Sequence, residues 1–353
     1  MTDTSRPRDD AAARPASRIA DGTPEGRPAA ARESAAANRA LRVAVIGVGH
    51  LGQHHARILA ALPGVTLVGV ADPDSDRAAG IAAACGTQAF AEAAALPAVD
   101  AVVIAAPTEL HAEIAAPFLS RGVSVLVEKP VTRTLEEADG LIALAARHGA
   151  VLAVGHSERF NPAVMAALPY VKAPGFVEVH RLSGFRERSL DIDVVFDLMI
   201  HDLDVLLAAI GSEVTAIEAV GVPVLSPRID IANVRLTFAS GCIANLTASR
   251  ISFDTIRKVR FFQSRAYIGI DFAKKEAELY QVVAGAAGAA INGGKLPVAD
   301  AEPLQVELED FTDAVRTGRA PRVSGADGRR ALALAHRITS LMAEGLSTGG
   351  AAP

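Results

Sequence analysis

Cysteine and tryptophan are scarce in this 353-residue chain, and their scarcity limits what the protein can be. Two cysteines, Cys85 and Cys242, stand far apart and there is no tryptophan, so a disulfide scaffold and a cysteine-rich zinc site are excluded. Aromatic residues make up only 4% of the chain, too few for the stacking platforms that hold single-stranded nucleic acid. So few cysteines are typical of a reducing compartment, and we expect a cytoplasmic protein.

Positive charge is also in short supply. The chain has 35 Lys and Arg against 40 Asp and Glu, which gives a net charge of −5. This balance disfavours non-specific binding to nucleic acid and to anionic membranes. A run of roughly 18 or more apolar residues, which a membrane-spanning helix requires, is absent from the sequence. We therefore expect neither nucleic acid nor a membrane as a partner.

Apolar residues are abundant, at 50% of the chain, so most of the chain can bury a core. Residues 1–40 are the exception, because they are rich in Ala, Arg and Pro and contain Ile19 as the only large aliphatic residue after Met1. We predict a disordered tail there, without the apolar segment of an export signal. The remaining length predicts two domains, which we place at residues 41–160 and 161–346.

A glycine motif follows the first predicted strand, Leu41–Ile46, and opens a predicted helix. Gly47 permits a tight turn, Gly49 lets a pyrophosphate approach the backbone, and Gly52 allows the helix to pack closely. Asp72 ends the next strand, about 20 residues later, where an acid binds the ribose hydroxyls of NAD and repels the 2′-phosphate of NADP. The pattern predicts a dinucleotide site that prefers NAD; the alternative is a glycine turn without a ligand.

Predicted strands and helices alternate from residue 41 to about residue 154. This alternation of strands and helices predicts a doubly wound parallel sheet of the Rossmann type, an α/β fold. Ligands bind beyond the carboxyl ends of such strands, and Thr108, Glu128 and Lys129 stand at strand ends. We expect these three residues to face the cofactor groove.

The second half of the chain predicts an α+β domain with an antiparallel sheet. Seven short segments read as strands, and residues 234–238 alternate apolar and polar residues as a half-exposed strand does. Residues 284–300 are rich in Gly and Ala, and we predict a flexible loop there. Residues 305–316 and 328–346 are predicted to be helices.

Several motifs together resemble the Gfo/Idh/MocA oxidoreductase family over residues 41–345. They are the glycine motif, Ala106-Pro107-Thr108 with His111, Glu128-Lys129-Pro130, and the pair Asp197 and His201. The resemblance implies NAD or NADP as cofactor and hydride transfer at a carbinol carbon, usually of a sugar, an inositol or a nucleotide sugar. It also implies a second domain with an open, largely antiparallel sheet that often mediates oligomerisation, so we expect a homodimer or homotetramer.

A dehydrogenase needs a base for the hydroxyl proton. Asp197 and His201 are four residues apart in a helical pattern and so share one helix face. Neutral His201 can accept a proton near pH 7, and Lys129 can stabilise a developing alkoxide. The resemblance implies that these three residues are the catalytic set, with His201 as base in our interpretation; considered alone, the helical pair would be a polar face with a capping Asp.

The binding residues follow from the same motifs. The predicted cofactor-binding residues are Gly47, Gly49, His50, Leu51, Gly52, Asp72, Ala106, Pro107, Thr108, His111, Glu128 and Lys129. The predicted substrate-binding residues are Lys129, Arg159, Asn161, Arg186, Arg188, Asp197 and His201. Arg159 has a structural alternative, that of tying the two domains together, and the Arg186–Arg188 segment has the alternative of a solvated loop. His50, His54 and His55 lack a carboxylate or Cys at ligand spacing, and we expect no metal.

The substrate prediction depends on resemblance alone. Residues 156–162, 197–202 and 230–252 are similar to family members that oxidise UDP-N-acetylglucosamine at C3. An NAD-dependent nucleotide-sugar dehydrogenase is therefore the first hypothesis. An inositol or other polyol dehydrogenase is the second, and a nicotinamide-binding sensor or scaffold without turnover is the third.

Overall fold

A six-stranded parallel sheet, in the order β3-β2-β1-β4-β5-β6, forms the first half of the protein. The computed structural model describes residues 39–185, 192–285 and 288–349. The sheet confirms the predicted Rossmann-type α/β fold, with every described pairing parallel. Its strands are β1 Leu41–Ile46, β2 Val65–Ala71, β3 Ala89–Phe90, β4 Ala101–Ile104, β5 Ser124–Glu128 and β6 Leu152–Gly155.

Helices cover both faces of this sheet, because successive side chains of a strand point to opposite faces. Val43 and Val45 of β1 belong to one buried cluster, and Ala44 and Ile46 belong to another on the opposite face. The α-helices of the described chain are α1 Gly52–Ala61, α2 Ser75–Cys85, α3 His111–Leu119, α4 Leu135–His148, α5 Pro162–Ala167, α6 Ile200–Ile210, α7 Pro303–Thr317 and α8 Gly325–Gly349. None of them is both long and apolar enough to cross a lipid bilayer.

The last two helices return to the first sheet. Leu308 and Phe311 of α7 pack into the same cluster as Val43 and Val45. Ahead of α8, the Val323 carbonyl accepts a hydrogen bond of 3.1 Å from the Val154 amide of β6. Residues from the C-terminal part of the chain therefore pack against β1, which precedes the glycine motif, and hydrogen-bond to β6 of the same sheet.

An eight-stranded sheet, in the order β14-β13-β12-β11-β7-β10-β9-β8, forms the second half. Its pairings are antiparallel except between β7 and β10. One face packs on α6 and α8, and Val234, Leu236 and Phe238 are buried as the alternation in β9 predicted. Its strands are β7 Pro174–Leu182, β8 Val214–Val222, β9 Ile231–Phe238, β10 Ile243–Ser249, β11 Ile256–Gln263, β12 Ala266–Asp271, β13 Glu276–Gly285 and β14 Gly288–Lys295.

The flexible loop predicted at residues 284–300 is wrong for most of its length. β13 continues to Gly285, and β14 pairs with it along Gly288–Lys295 at the sheet edge. A Cβ on Gly293 would overlap the Leu279 carbonyl oxygen, so glycine is required where the two backbones approach. Because ladder hydrogen bonds need no side chain, this edge strand forms without the β-branched pattern that sequence reading depends on.

Candidate active site

A cavity of about 930 Å³ opens at the carboxyl ends of the parallel strands. Its walls come from the glycine turn, from the ends of β2, β4 and β5, and from β7, β11 and the segment before α6. Nine predicted cofactor residues line it, namely Gly47, Gly49, His50, Leu51, Asp72, Ala106, Pro107, Thr108 and Lys129. The cavity is therefore the place where the two sheets present side chains to one small molecule.

The glycine turn is tightly packed on one side and open on the other. Gly47 has a φ of +80°, and a Cβ there would lie 2.7 Å from the Ala105 carbonyl oxygen. A Cβ on Gly52 would lie 1.8 Å from the Gly47 oxygen, whereas one on Gly49 would meet nothing nearer than Arg77 Nη1 at 3.9 Å. Helix α1 then begins without a side-chain cap or an acidic residue in its first turn. This arrangement suits an anion, because the helix dipole places partial positive charge at the start of α1.

Asp72 is held in place by the glycine turn itself. Its Oδ2 accepts a hydrogen bond of 2.9 Å from the Val48 amide, and its Oδ1 accepts one from the Asp74 amide. Arg77 Nη1 lies 3.4 Å from both carboxylate oxygens. The carboxylate is 3% exposed and still lines the cavity, so it keeps lone pairs for a ligand hydroxyl.

Lys129, Asp197 and His201 come from different elements and line the same cavity. Lys129 Nζ donates a hydrogen bond of 2.8 Å to the Asp197 backbone oxygen and lies 4.0 Å from Asp197 Oδ1. Asp197 sits in a π-helical turn, Val195–Met199, that leads into α6. Such turns re-aim side chains relative to an α-helix, and here both Asp197 and His201 reach the cavity.

His201 is neutral in this setting. Burial, together with the positive charges of Lys129 and Arg181, holds the pKa of His201 well below its usual range. His156 lies beside it, with ring centroids 6.0 Å apart, and burial lowers the pKa of His156 to about 3. Within the described chain, the Nδ1 atoms of both rings have no hydrogen-bond partner. His201 therefore presents a neutral imidazole to the cavity.

Arginines of the second sheet reach the cavity although the sequence analysis did not select them. Arg181 donates to both oxygens of Asp202 at 2.7 and 2.8 Å and to Glu158 at 3.0 Å. Arg257 lines the cavity as well. The signal for Arg181 was present in the sequence, since it lies in phase with the buried Val177 and Val179 of β7.

Gly52, His111 and Glu128, predicted to bind the cofactor, are outside the cavity lining. His111 is 1% exposed, and its ring nitrogens lie 3.0 and 2.9 Å from the Pro130 and Ala106 carbonyl oxygens. The ring thus braces one cavity loop against another. The peptide between Lys129 and Pro130 is cis.

Glu128 points away from the cavity into a buried polar cluster. Its Oε1 lies 2.8 Å from His55 Nε2. The side chain of Glu307 on α7 lies close to both, because one side-chain nitrogen or oxygen atom of each of the three residues is within 4.8 Å of the others. Burial opposes ionisation of Glu128, but the hydrogen bond and charge of His55, aided by Lys129, lower its pKa. Burial and then the charge of Glu128 raise the pKa of Glu307 well above its ordinary value. One carboxylate, that of Glu128 directly before Lys129, and one protonated carboxyl, that of Glu307, therefore lie together outside the cavity.

This cluster predicts a pH-dependent stability that Glu307→Gln removes. Because the folded state keeps Glu307 protonated and the unfolded state does not, the free energy of unfolding falls as pH rises above about 4.5, towards the folded pKa. The glutamine variant lacks this slope in urea unfolding measured across pH. Glu309→Gln, on the exposed face of the same helix, serves as control, and identical slopes in wild type and Glu307→Gln would contradict the assignment.

Arg159 and Asn161, predicted to bind substrate, are also outside the cavity lining. Arg159 Nη1 lies 3.3 Å from Asp204 Oδ1, and Nη2 donates to the Arg322 carbonyl. Asn161 caps α5 and donates to the Phe272 carbonyl. These contacts match the structural alternative for Arg159. Arg186 and Arg188 lie outside the described residues.

Comparisons with known proteins agree with this geometry. Residues 41–156 match the family described as "Oxidoreductase family, NAD-binding Rossmann fold", and residues 174–268 match the GFO/IDH/MocA C-terminal domain. The UDP-N-acetylglucosamine 3-dehydrogenase of Acidithiobacillus ferrooxidans is 40% identical over 306 residues, which cover 84% of this chain and 96% of that protein. The scyllo-inositol 2-dehydrogenase (NAD(+)) of Bacillus subtilis is 28% identical, with 81% and 90% covered.

Solved structures give the same result. The crystal structure of the Acidithiobacillus ferrooxidans enzyme superposes with a TM-score of 0.80 at 39% identity, over 85% of this chain and 97% of that chain. A levoglucosan dehydrogenase in complex with NADH has a TM-score of 0.77 at 20% identity and shares the fold. The family predicted from the motifs is confirmed: the chain belongs to the GFO/IDH/MocA family of NAD-binding oxidoreductases.

Proposed function

We propose that this oxidoreductase oxidises a secondary hydroxyl of a nucleotide sugar, UDP-N-acetylglucosamine at C3, with NAD as hydride acceptor. The observation that carries the proposal is the meeting of Lys129, Asp197 and His201 in one cavity with the glycine turn. The choice of substrate is supported by the relative that is 40% identical and covered over 96% of its length.

The cavity fits the cofactor by its shape and its donors. The open side of Gly49 and the uncapped start of α1 suit the pyrophosphate, and Asp72 suits the ribose hydroxyls. When bound, the nicotinamide ring supplies the acceptor for the hydride of the carbinol carbon. The chain itself supplies binding, orientation and proton transfer.

The three polar side chains have distinct parts in the proposal. Lys129, positioned by the Asp197 carbonyl, donates a hydrogen bond to the substrate oxygen and stabilises its developing negative charge. Neutral His201 accepts the hydroxyl proton. The carboxylate of Asp197 binds a neighbouring hydroxyl or amide of the sugar and so fixes which carbon presents its hydrogen.

Absorbance of NADH tests the proposal with UDP-N-acetylglucosamine, UDP-glucose and myo-inositol as substrates. The proposal expects turnover with UDP-N-acetylglucosamine and a product lighter by two hydrogens, with the carbonyl at C3 by NMR. Turnover restricted to myo-inositol would instead establish the polyol dehydrogenase that the Bacillus subtilis relative suggests. NAD binding without any turnover would favour a sensor or scaffold.

Asp72→Asn tests the assigned cofactor preference. Losing a charged acceptor for the ribose hydroxyls costs about 1.5–3 kcal/mol, so kcat/KM with NAD is expected to fall roughly 10- to 100-fold. The same change removes the charge that repels a 2′-phosphate and leaves Arg77 to attract it, so kcat/KM with NADP should rise. Asp76→Asn, at an exposed position of α2, is the control. An unchanged ratio of the two cofactors would refute the role of Asp72.

The oligomeric state and the compartment belong to the same proposal. Stacked aromatic rings, Phe176 on Phe262 and Phe262 beside Tyr267, occupy the second sheet, and Phe262 is 36% exposed. We expect this surface to be covered in a homodimer or homotetramer, within the cytoplasm, where Cys85 and Cys242 stay free thiols. Light scattering that returns the mass of one chain would contradict the assembly.

A further inference from the structure

Arg257 stands out among the arginines that line the cavity. Arg77 is paired with Asp72 and Asp74, and Arg181 is paired with Asp202 and Glu158. Across residues 39–185, 192–285 and 288–349, no hydrogen bond or ion pair engages the guanidinium of Arg257. Among the described arginines that line the cavity, Arg257 therefore has N–H groups that a ligand can engage.

The position of Arg257 places this cation on the substrate side of the cavity. It lies on β11 in register with Arg181 of β7, so the two side chains extend from the same face of the second sheet. Its charge acts on the ring of His201 and contributes to the lowered pKa of that histidine. The glycine turn, by contrast, belongs to the first sheet.

The charge of Arg257 acts on the buried carboxylate of Asp202, but its N–H groups have no hydrogen-bond acceptor among the described residues. Partly buried donors of this kind cost free energy until a ligand brings acceptors. A guanidinium binds phosphate through two parallel N–H···O bonds, a geometry that suits a diphosphate better than it suits a neutral hydroxyl. In a nucleotide sugar the diphosphate is attached through oxygen to C1, two carbons from C3. A residue that holds it must therefore lie within a sugar's length of the proton acceptor.

We propose that Arg257 binds the diphosphate of the nucleotide-sugar substrate and thereby selects charged sugars over neutral polyols. This inference rests on the proposed function, because inositols carry no such group. Arg257 is a binding and specificity residue in this assignment and takes no proton. Arg257 was not among the substrate-binding residues predicted from the sequence.

The experiment compares Arg257→Ala and Arg257→Lys with wild type in steady-state kinetics and in calorimetric titration with UDP. Arg257→Ala is expected to raise KM for UDP-N-acetylglucosamine and Kd for UDP about 10- to 100-fold, because a charged, forked hydrogen-bond donor is lost. Arg257→Lys should recover part of both, since it keeps the charge without the fork. The expected change in kcat is within about threefold.

Arg260→Ala provides the matched control. Arg260 lies on the same strand, outside the cavity lining, where it pairs with Glu178 at 3.3 Å, and its loss should leave both constants unchanged. Wild-type constants in Arg257→Ala would overturn the inference alone, provided that wild type oxidises UDP-N-acetylglucosamine. Absence of turnover and of UDP binding in wild type would overturn the proposed function and the inference together.

Discussion

Replacing Lys129 by methionine is expected to lower kcat about 100- to 1,000-fold, the usual effect of removing one donor to a developing oxyanion. The ammonium is fixed by the Asp197 carbonyl at 2.8 Å, so it is already oriented when the substrate oxygen arrives. Methionine keeps the apolar stem and most of the length of the side chain but has no donor. Stopped-flow or steady-state NADH formation measures the loss.

The loss at Lys129 should fall mainly on the chemical step. NADH binding, followed by fluorescence, should weaken far less than kcat falls, because eight of the nine predicted cofactor residues that line the cavity, the glycine turn and Asp72 included, are untouched. Lys172→Met, at an exposed position ahead of β7, controls for the removal of a positive charge. A Lys129→Met enzyme with a kcat near wild type would remove Lys129 from the reaction.

The fold was predictable because its signals are local. β1 has the bounds that its apolar pattern predicted, and β9 contains the predicted alternation at residues 234–238. A glycine turn with an acid after the next strand specifies one nucleotide-binding arrangement. Spacing placed Lys129 at a strand end and predicted that Asp197 and His201 share a helix face, but it was the family resemblance that brought these three residues together in one site.

The direction of individual side chains was not predictable from spacing. Glu128 ends β5 where a ligand contact was expected, but its carboxylate turns to His55 and Glu307. Glu307 lies on a helix near the end of the chain, and no local pattern indicates that α7 returns beneath β5. The same holds for His111, whose two carbonyl partners come from separate loops.

The arginines on the substrate side of the cavity could not be predicted from the sequence for a related reason. Arg181 and Arg257 become neighbours only through the register of β7 and β11. These strands are far apart in the chain, so no hairpin turn between them sets that register. The other substrate-binding arginines predicted from the sequence, Arg186 and Arg188, lie outside the described residues.

His201→Gln is expected to lower kcat about 100- to 10,000-fold, the range for loss of a general base. Because burial and the charges of Lys129 and Arg181 lower the pKa of His201, its neutral form persists well below pH 6.5. Wild-type kcat/KM should therefore be level with respect to this group near pH 7 and fall only as pH drops towards the lowered pKa. The glutamine variant should lack that acid limb.

Acid unfolding must be separated from protonation of the base, because both reduce activity in the same direction. A buried histidine whose pKa is lowered in the folded state costs stability as pH falls below about 6.5, where the unfolded chain takes up the proton. Circular dichroism at each pH identifies this contribution, and His156 adds to it. His180→Gln, on the face of β7 opposite Val179 and Arg181, should retain the wild-type profile. An unchanged acid limb in His201→Gln, with the fold intact, would assign the proton acceptor elsewhere in the cavity.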